Sequence, residues 1–172
     1  MRLSLVGLPG SGKTTVGRQL ARRLDLPFYD SDLVIEERLG CAIREFFERE
    51  GEERFRDIEQ EVLDALTKGG DAVLSTGGGA VLRQANRIHL RERTQVIYLR
   101  SQPEELYRRL RNDRKRPLLQ VADPLQRLRD LFTQRDPLYQ EVAHHTIETG
   151  RPSVSALVNT VISQLERAGG RP

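Results

Sequence analysis

Apolar positions along this chain alternate between two spacings. "RLSLV" (residues 2–6) is a short apolar run of strand length, and "TTVGRQLARRL" (14–24) carries its apolar residues at helical spacing. The alternation recurs. "LPFYD" (26–30), "DAVLST" (71–76), "TQVIYL" (94–99) and "HHTIET" (144–149) predict four more strands. Helical spacing predicts one long region from Asp32 to about Lys68, broken near Gly40 and Gly51. Further helices are predicted at about 83–93, 103–111, 123–140 and 153–168. Strands that alternate with helices imply a parallel sheet covered on both faces, with right-handed crossovers. In such sheets ligands bind beyond the carboxyl ends of the strands. "NDRKRPLLQVAD" (112–123) is charged and aperiodic, and it reads as a mobile loop. There is no internal repeat and no linker, so residues 1–172 form one expected domain.

Composition narrows the class. A chain of 172 residues can bury a real core in one domain. Its 37% hydrophobic and 31% charged content is that of a soluble globular protein. No apolar run approaches the ~20 residues of a membrane span, and the N-terminus lacks a signal-type segment. A lone cysteine, Cys41, excludes an internal disulfide and fits a reducing, cytoplasmic compartment. Nothing around it stabilises a thiolate, so it reads as a small buried hydrophobe. The net charge is only +3. Arginines are interleaved with acids, as in "REFFEREGEERFRDIEQEV", which describes solvated helix faces rather than a nucleic-acid footprint. Basic positions are nearly all Arg; the lysines are Lys13, Lys68 and Lys115 alone.

Lys13 stands in "GLPGSGKT" (7–14), which fits G-x-x-x-x-G-K-[ST] through Gly7, Gly12, Lys13 and Thr14. The motif follows a predicted strand and opens a predicted helix, the context it requires. Glycines let backbone N–H groups turn toward phosphate oxygens, and the helix N-terminus favours negative charge. Lys13 would reach the β- and γ-phosphates, and the Thr14 hydroxyl would bind Mg²⁺. A nucleoside triphosphate with Mg²⁺ is therefore the expected ligand. N-K-x-D and D-x-x-G, the marks of a GTPase switch, do not occur, and the chain is short for a motor. A small-molecule kinase needs a second site facing the γ-phosphate.

Several residues could build that site, each with a plainer reading beside it. Asp30 and Asp32 in "YDSDL" would point the same way from an extended strand, one toward Mg²⁺ and one toward an acceptor hydroxyl. Either, or Ser31, could instead cap the next helix. Arg56 in "FRDIE" lies among acids, as a surface ion pair would. Arg135 in "QRDPLY" is suited to a bidentate carboxylate contact, or to the charge of a helix end. "LSTGGGAVL" (74–82) is a second glycine loop that the nucleotide does not need. By itself it could be a flexible turn. His144 and His145 fall in a strand with no further ligand at metal spacing, and no catalytic role is assigned to them.

Taken together, "GLPGSGKTT", "DSD", "GEERFRDIE", "STGGGAV", "RPLL" and "RDPLY" occur in an order and spacing that resemble the shikimate kinase family over nearly the whole chain. The resemblance implies a nucleoside-monophosphate-kinase-like α/β fold of three layers, with a five-stranded parallel sheet in order 2-3-1-4-5. It implies transfer of phosphate from ATP to the 3-hydroxyl of shikimate in chorismate biosynthesis. Asp32 then looks like the carboxylate that orients and deprotonates the attacking hydroxyl. Arg56 and Arg135 look like the grip on the shikimate carboxylate, within an acceptor-binding helical region at about 32–60. Gly77, Gly78 and Gly79 look like the floor of that site, with Gly78 donating to the substrate. Gly10, Ser11, Gly12, Lys13, Thr14 and Thr15 would hold ATP, with Mg²⁺ on Thr14 and, through water, on Asp30. Arg116 looks like the catalytic arginine of a lid at about 112–123. Arg109 and Arg151 are similar to arginines that border the adenine. A monomer without nucleic-acid or membrane partners is expected. The competing readings are a kinase for another small polyol acid, such as gluconate, and a non-enzymatic nucleotide-binding protein.

Overall fold

The computed structural model describes residues 1–111, 122–150 and 153–169. Five strands form one parallel sheet: β1 (Arg2–Val6), β2 (Phe28–Asp30), β3 (Ala72–Ser75), β4 (Gln95–Arg100) and β5 (His145–Glu148). Their order is β2-β3-β1-β4-β5, as the resemblance implies. The registers align Leu5 with Ser75, Asp30 with Ser75 and Val6 with Tyr98, so the carboxyl ends of β1, β2 and β3 finish together.

Side-chain alternation divides the sheet into two faces. Ile97 and Leu99 of β4 face one core with Leu3 and Leu5, closed by α1 (Lys13–Leu24) and α8 (Val154–Arg167). Val96 and Tyr98 face the opposite core. Elements α5 (Gln84–Arg93), α6 (Pro103–Leu110) and α7 (Pro124–Val142) close that side. Both faces are dry, which is why the strands read as nearly continuous apolar runs. Three helices stand apart: α2 (Ser31–Leu39), α3 (Ile43–Glu50) and α4 (Glu52–Thr67). They share a small core of Ile35, Phe46, Phe55 and Val62. They are the expected long helical region. The breaks fall at Gly40 and Gly51, which both have positive φ and close α2 and α3 at their C-terminal ends.

Three details differ from expectation. Cys41 is only half-buried, at the edge of that small core. Arg83 does not belong to α5 but precedes it, binding Asp57 and Glu53 of α4. Helix α7 runs on to Val142, so Pro137 is inside it and Arg135 is in its body rather than at its end. The segment read as a mobile lid, 112–123, lies outside the described residues up to 121.

Candidate active site

At the carboxyl end of β1 the chain turns through Gly10 and Gly12, both at positive φ, into α1. Gly12 occupies the N-cap position and has no side chain to offer as a cap. The first turn of a helix so begun attracts an anion. The Lys13 ammonium lies across its own loop, donating to the carbonyls of Gly7 at 2.7 Å and Leu8 at 3.0 Å. Arg109 of α6 reaches the same loop at the Gly10 carbonyl, 3.4 Å away, while Glu105 pairs with its other nitrogen at 2.6 Å.

Strand β2 ends at Asp30, and α2 starts at the next residue. Asp30 is the cap of α2: its Oδ1 accepts from the amides of Asp32 (3.0 Å) and Leu33 (3.4 Å). Its Oδ2 accepts from the Thr14 hydroxyl at 3.1 Å. Extended geometry does not hold between Asp30 and Asp32, because the helix begins between them. Both carboxylates nevertheless line one cleft of about 350 Å³. That cleft spans the two glycine loops, from Gly10, Gly12, Lys13 and Thr14 to Thr76, Gly77 and Gly78. Thr76 ties the second loop to β1, donating through both its amide and its hydroxyl to the Leu5 carbonyl.

Because the cap belongs to Asp30, Asp32 has no such duty. Burial pushes its carboxyl up to about 6; Asp30 and Glu59 add to the rise, and Lys13 opposes it. A carboxylate held in this way is close to the working range of a general base.

None of Gly77, Gly78 and Gly79 has positive φ, so conformational freedom does not explain them. Space does. A β-carbon at Gly77 would lie 2.6 Å from Asp32 Oδ1. At Gly78 it would lie 2.8 Å from the Pro9 ring and 3.3 Å from Arg135 Nη1. At Gly79 it would fall inside the Arg56 guanidinium. The three charged groups expected around the acceptor thus press against three consecutive residues that lack side chains.

Arg56 is not a surface ion pair. Its side chain is 11% exposed and bonds at 2.9 Å to Glu59, which is 1% exposed. Glu59 was not legible as a site residue. Burial raises its pKa, against the opposing pull first of Arg56 and then of Arg135 and Arg83. The Arg56 Nε is buried with no hydrogen-bond partner, a donor that an acceptor carboxylate would satisfy. Behind the glycines, Ser31 accepts from the Gly77 amide at 3.3 Å. Arg87 holds the carbonyls of Val81 (2.8 Å) and Leu82 (3.0 Å). His144 serves the sheet, its Nδ1 accepting from the Val96 amide at 2.9 Å. Arg116 and Arg151 lie outside the described residues.

Fold and cleft together define a P-loop kinase with room for a small acceptor beside the nucleotide loop. The shikimate kinase family model matches residues 9–166. A shikimate kinase of Paracidovorax citrulli is 57% identical, over 100% of this chain and 96% of its own length. Another, from Ralstonia nicotianae, is 59% identical over 95% and 86%. The solved structure of Acinetobacter baumannii shikimate kinase in complex with shikimate superposes with a TM-score of 0.92 at 46% identity, covering 97% of this chain and 93% of that one. The chain belongs to the shikimate kinase family.

Two predictions follow from this geometry. Gly79→Ala is tolerated by the backbone but not by Arg56, so the acceptor KM should rise at least about tenfold through the displaced guanidinium while the ATP KM holds. Unchanged acceptor KM would mean that Arg56 does not serve the acceptor. Asp32→Asn should raise stability. The folded pKa of Asp32 is above its unfolded value, so the ionised group opposes folding fully above about pH 6, and the cost vanishes below about pH 4. The Asn variant should therefore melt higher than wild type at pH 7.5 and equally at about pH 3. Its kcat should fall by about 10² to 10⁴. A variant that neither melts higher nor slows would remove Asp32 from the mechanism.

Proposed function

We infer that this chain transfers the γ-phosphoryl group of ATP to the 3-hydroxyl of shikimate, giving ADP and shikimate 3-phosphate for chorismate and aromatic amino acid biosynthesis. The observation that carries this reading is the single cleft shared by the two glycine loops, with Asp32 between them and Arg56 and Arg135 against the second. An acceptor that presents both hydroxyls and a carboxylate suits that set of groups.

Phosphoryl transfer has a loose transition state, so the protein's work is mainly positioning and charge stabilisation. Residues 10–15 hold the triphosphate, with Lys13 as a point charge on the β- and γ-phosphates. Thr14 Oγ1 and Asp30 Oδ2 are hard oxygen donors 3.1 Å apart, which suits Mg²⁺ bound directly by Thr14 and through water by Asp30. Bound there, the ion would neutralise charge on the phosphates. Asp32 orients the acceptor hydroxyl and takes its proton. Arg56 and Arg135 grip the carboxylate, and Glu59 holds Arg56 in place. The Gly78 amide donates to the acceptor. Arg109 borders the adenine, and so does Arg151 by the family's pattern. Arg116 stabilises charge on the transferred group from a lid, which also keeps water from competing as acceptor.

The enzyme is read as monomeric and cytoplasmic, without nucleic-acid or membrane partners. Many of its arginines pair with neighbouring acids, as in Arg38–Glu61, Arg44–Glu48 and Arg54–Glu50. Among the described residues no helix is long and apolar enough to cross a membrane.

ADP release should depend on shikimate, far exceeding the rates with gluconate or with no acceptor; comparable turnover with gluconate, or none with shikimate, would reject the reading. Arg135→Ala should raise the shikimate KM and spare the ATP KM, and Arg135→Lys should recover only part of the loss, since a point charge loses bidentate geometry. Arg116→Ala should lower kcat on the order of 10³-fold with shikimate binding nearly unchanged. A kcat close to wild type would take Arg116 out of the transition state.

A further inference from the structure

Tyr139 is fully buried one turn beyond Arg135 on α7, and the chemistry above makes no use of its hydroxyl. That hydroxyl donates to the Gly78 carbonyl at 2.5 Å. The preceding carbonyl, Gly77 O, accepts from the Ala80 amide at 3.0 Å. In a trans peptide the N–H points opposite to the C=O. Fixing these two carbonyls therefore fixes the directions of the Gly78 and Gly79 amides. The restraint matters because a glycine run has no β-carbon to hinder rotation of its peptide planes.

The same phenol is close to Arg135. Burial raises the Tyr139 pKa, and the Arg135 guanidinium opposes the rise; Arg135 Nη1 also lies 3.3 Å from where a Gly78 β-carbon would be. The ring itself is fixed. It stacks on Tyr98 with centroids 4.9 Å apart. The Tyr98 hydroxyl donates to Asp136 Oδ1 at 2.7 Å, and Arg100 Nε donates to the same oxygen at 3.0 Å. Arg100 therefore keeps Asp136 in place independently of the Tyr98 hydroxyl.

We propose that Tyr139 is a positioning residue of the acceptor site: its hydroxyl fixes the glycine floor against which Arg135 packs, so that the Gly78 amide and the guanidinium meet the acceptor in a fixed relative placement. The proposal rests on the acceptor reading of Gly78 and Arg135.

Tyr139→Phe keeps the ring and its stack and removes only the hydroxyl. The shikimate KM should rise on the order of tenfold, as for loss of one buried hydrogen bond, while the ATP KM is unchanged and kcat stays within about threefold. Tyr98→Phe deletes a hydroxyl from the same stack and leaves the Gly78 carbonyl held. Its melting temperature should fall by a similar amount, with the shikimate KM within about twofold of wild type. Both variants are assayed at a temperature where melting curves show them folded. A Tyr139→Phe enzyme with a wild-type shikimate KM overturns the proposal. So do equal KM rises in the two variants, or a rise in the ATP KM alongside that for shikimate. Arg135→Ala separates the failures. If it raises the shikimate KM and Tyr139→Phe does not, only the positioning role falls; if its KM is normal, the acceptor reading of Arg135 falls first.

Discussion

The acceptor side of the cleft depends on three absent β-carbons. Asp32, Arg56 and Arg135 come from α2, α4 and α7, and they meet at Gly77, Gly79 and Gly78 in turn. A side chain at Gly77 or Gly79 would occupy the volume that Asp32 or Arg56 now fills, and one at Gly78 would run into the Pro9 ring and crowd Arg135. The main chain thereby becomes a surface for polar ligands, and its own amides add donors that no side chain covers. The first glycine loop works on a different principle. Gly10 and Gly12 adopt positive φ, so there glycine supplies a backbone turn rather than space.

Burying these charges beside one another has an electrostatic cost that their pairing offsets only in part. Glu59 is buried and would be expensive alone; Arg56 at 2.9 Å makes it tolerable. For Asp32 the balance falls the other way. Lys13 favours its ionised form, but Asp30 and Glu59 oppose it and burial dominates. A raised carboxyl opposes folding when ionised, so the residue proposed to take the proton is one at which stability and activity would trade off. Asp30 has a double role. One oxygen caps α2 and the other meets Thr14, so its charge is solvated by two amides and a hydroxyl.

The strands, the approximate helix positions and the nucleotide loop were legible in the sequence because each is a local pattern, set by apolar spacing or by glycines beside Lys13; the strand order is not local and came only with the family resemblance. The residues around the acceptor were legible only as a set. "FRDIE" reads like a solvated helix face, and nothing local shows that Arg56 and Glu59 turn inward; their i,i+3 spacing was the available signal. Which acid of "YDSDL" caps α2 depends on where β2 stops. That point is set by pairing with β3, 45 residues from Asp30 at Ser75. Tyr139 was missed for the same reason: its partner, the Gly78 carbonyl, is 61 residues away. The i,i+4 spacing of Arg135 and Tyr139 across Pro137 was the only hint.

Helices α6 and α7 touch opposite ends of the cleft. Arg109 of α6 reaches the Gly10 carbonyl, while Arg135 and Tyr139 of α7 reach Gly78. The two helices pack against each other, and Arg129 of α7 bonds Glu104 of α6 at 3.2 Å. Glu105, buried at the start of α6, also accepts from Thr149 at the end of β5. The chain between α6 and α7 contains Arg116, so the residue assigned to the transferred phosphate is carried between one helix anchored to the nucleotide loop and another anchored to the acceptor floor. Movement of α6 relative to α7 would alter the nucleotide contact and the acceptor contact together. Packing the two helices on the same face of the sheet, over Val96 and Tyr98, holds those contacts in one frame. In-line transfer demands such a frame, because its rate depends on the distance and angle between two separately bound molecules.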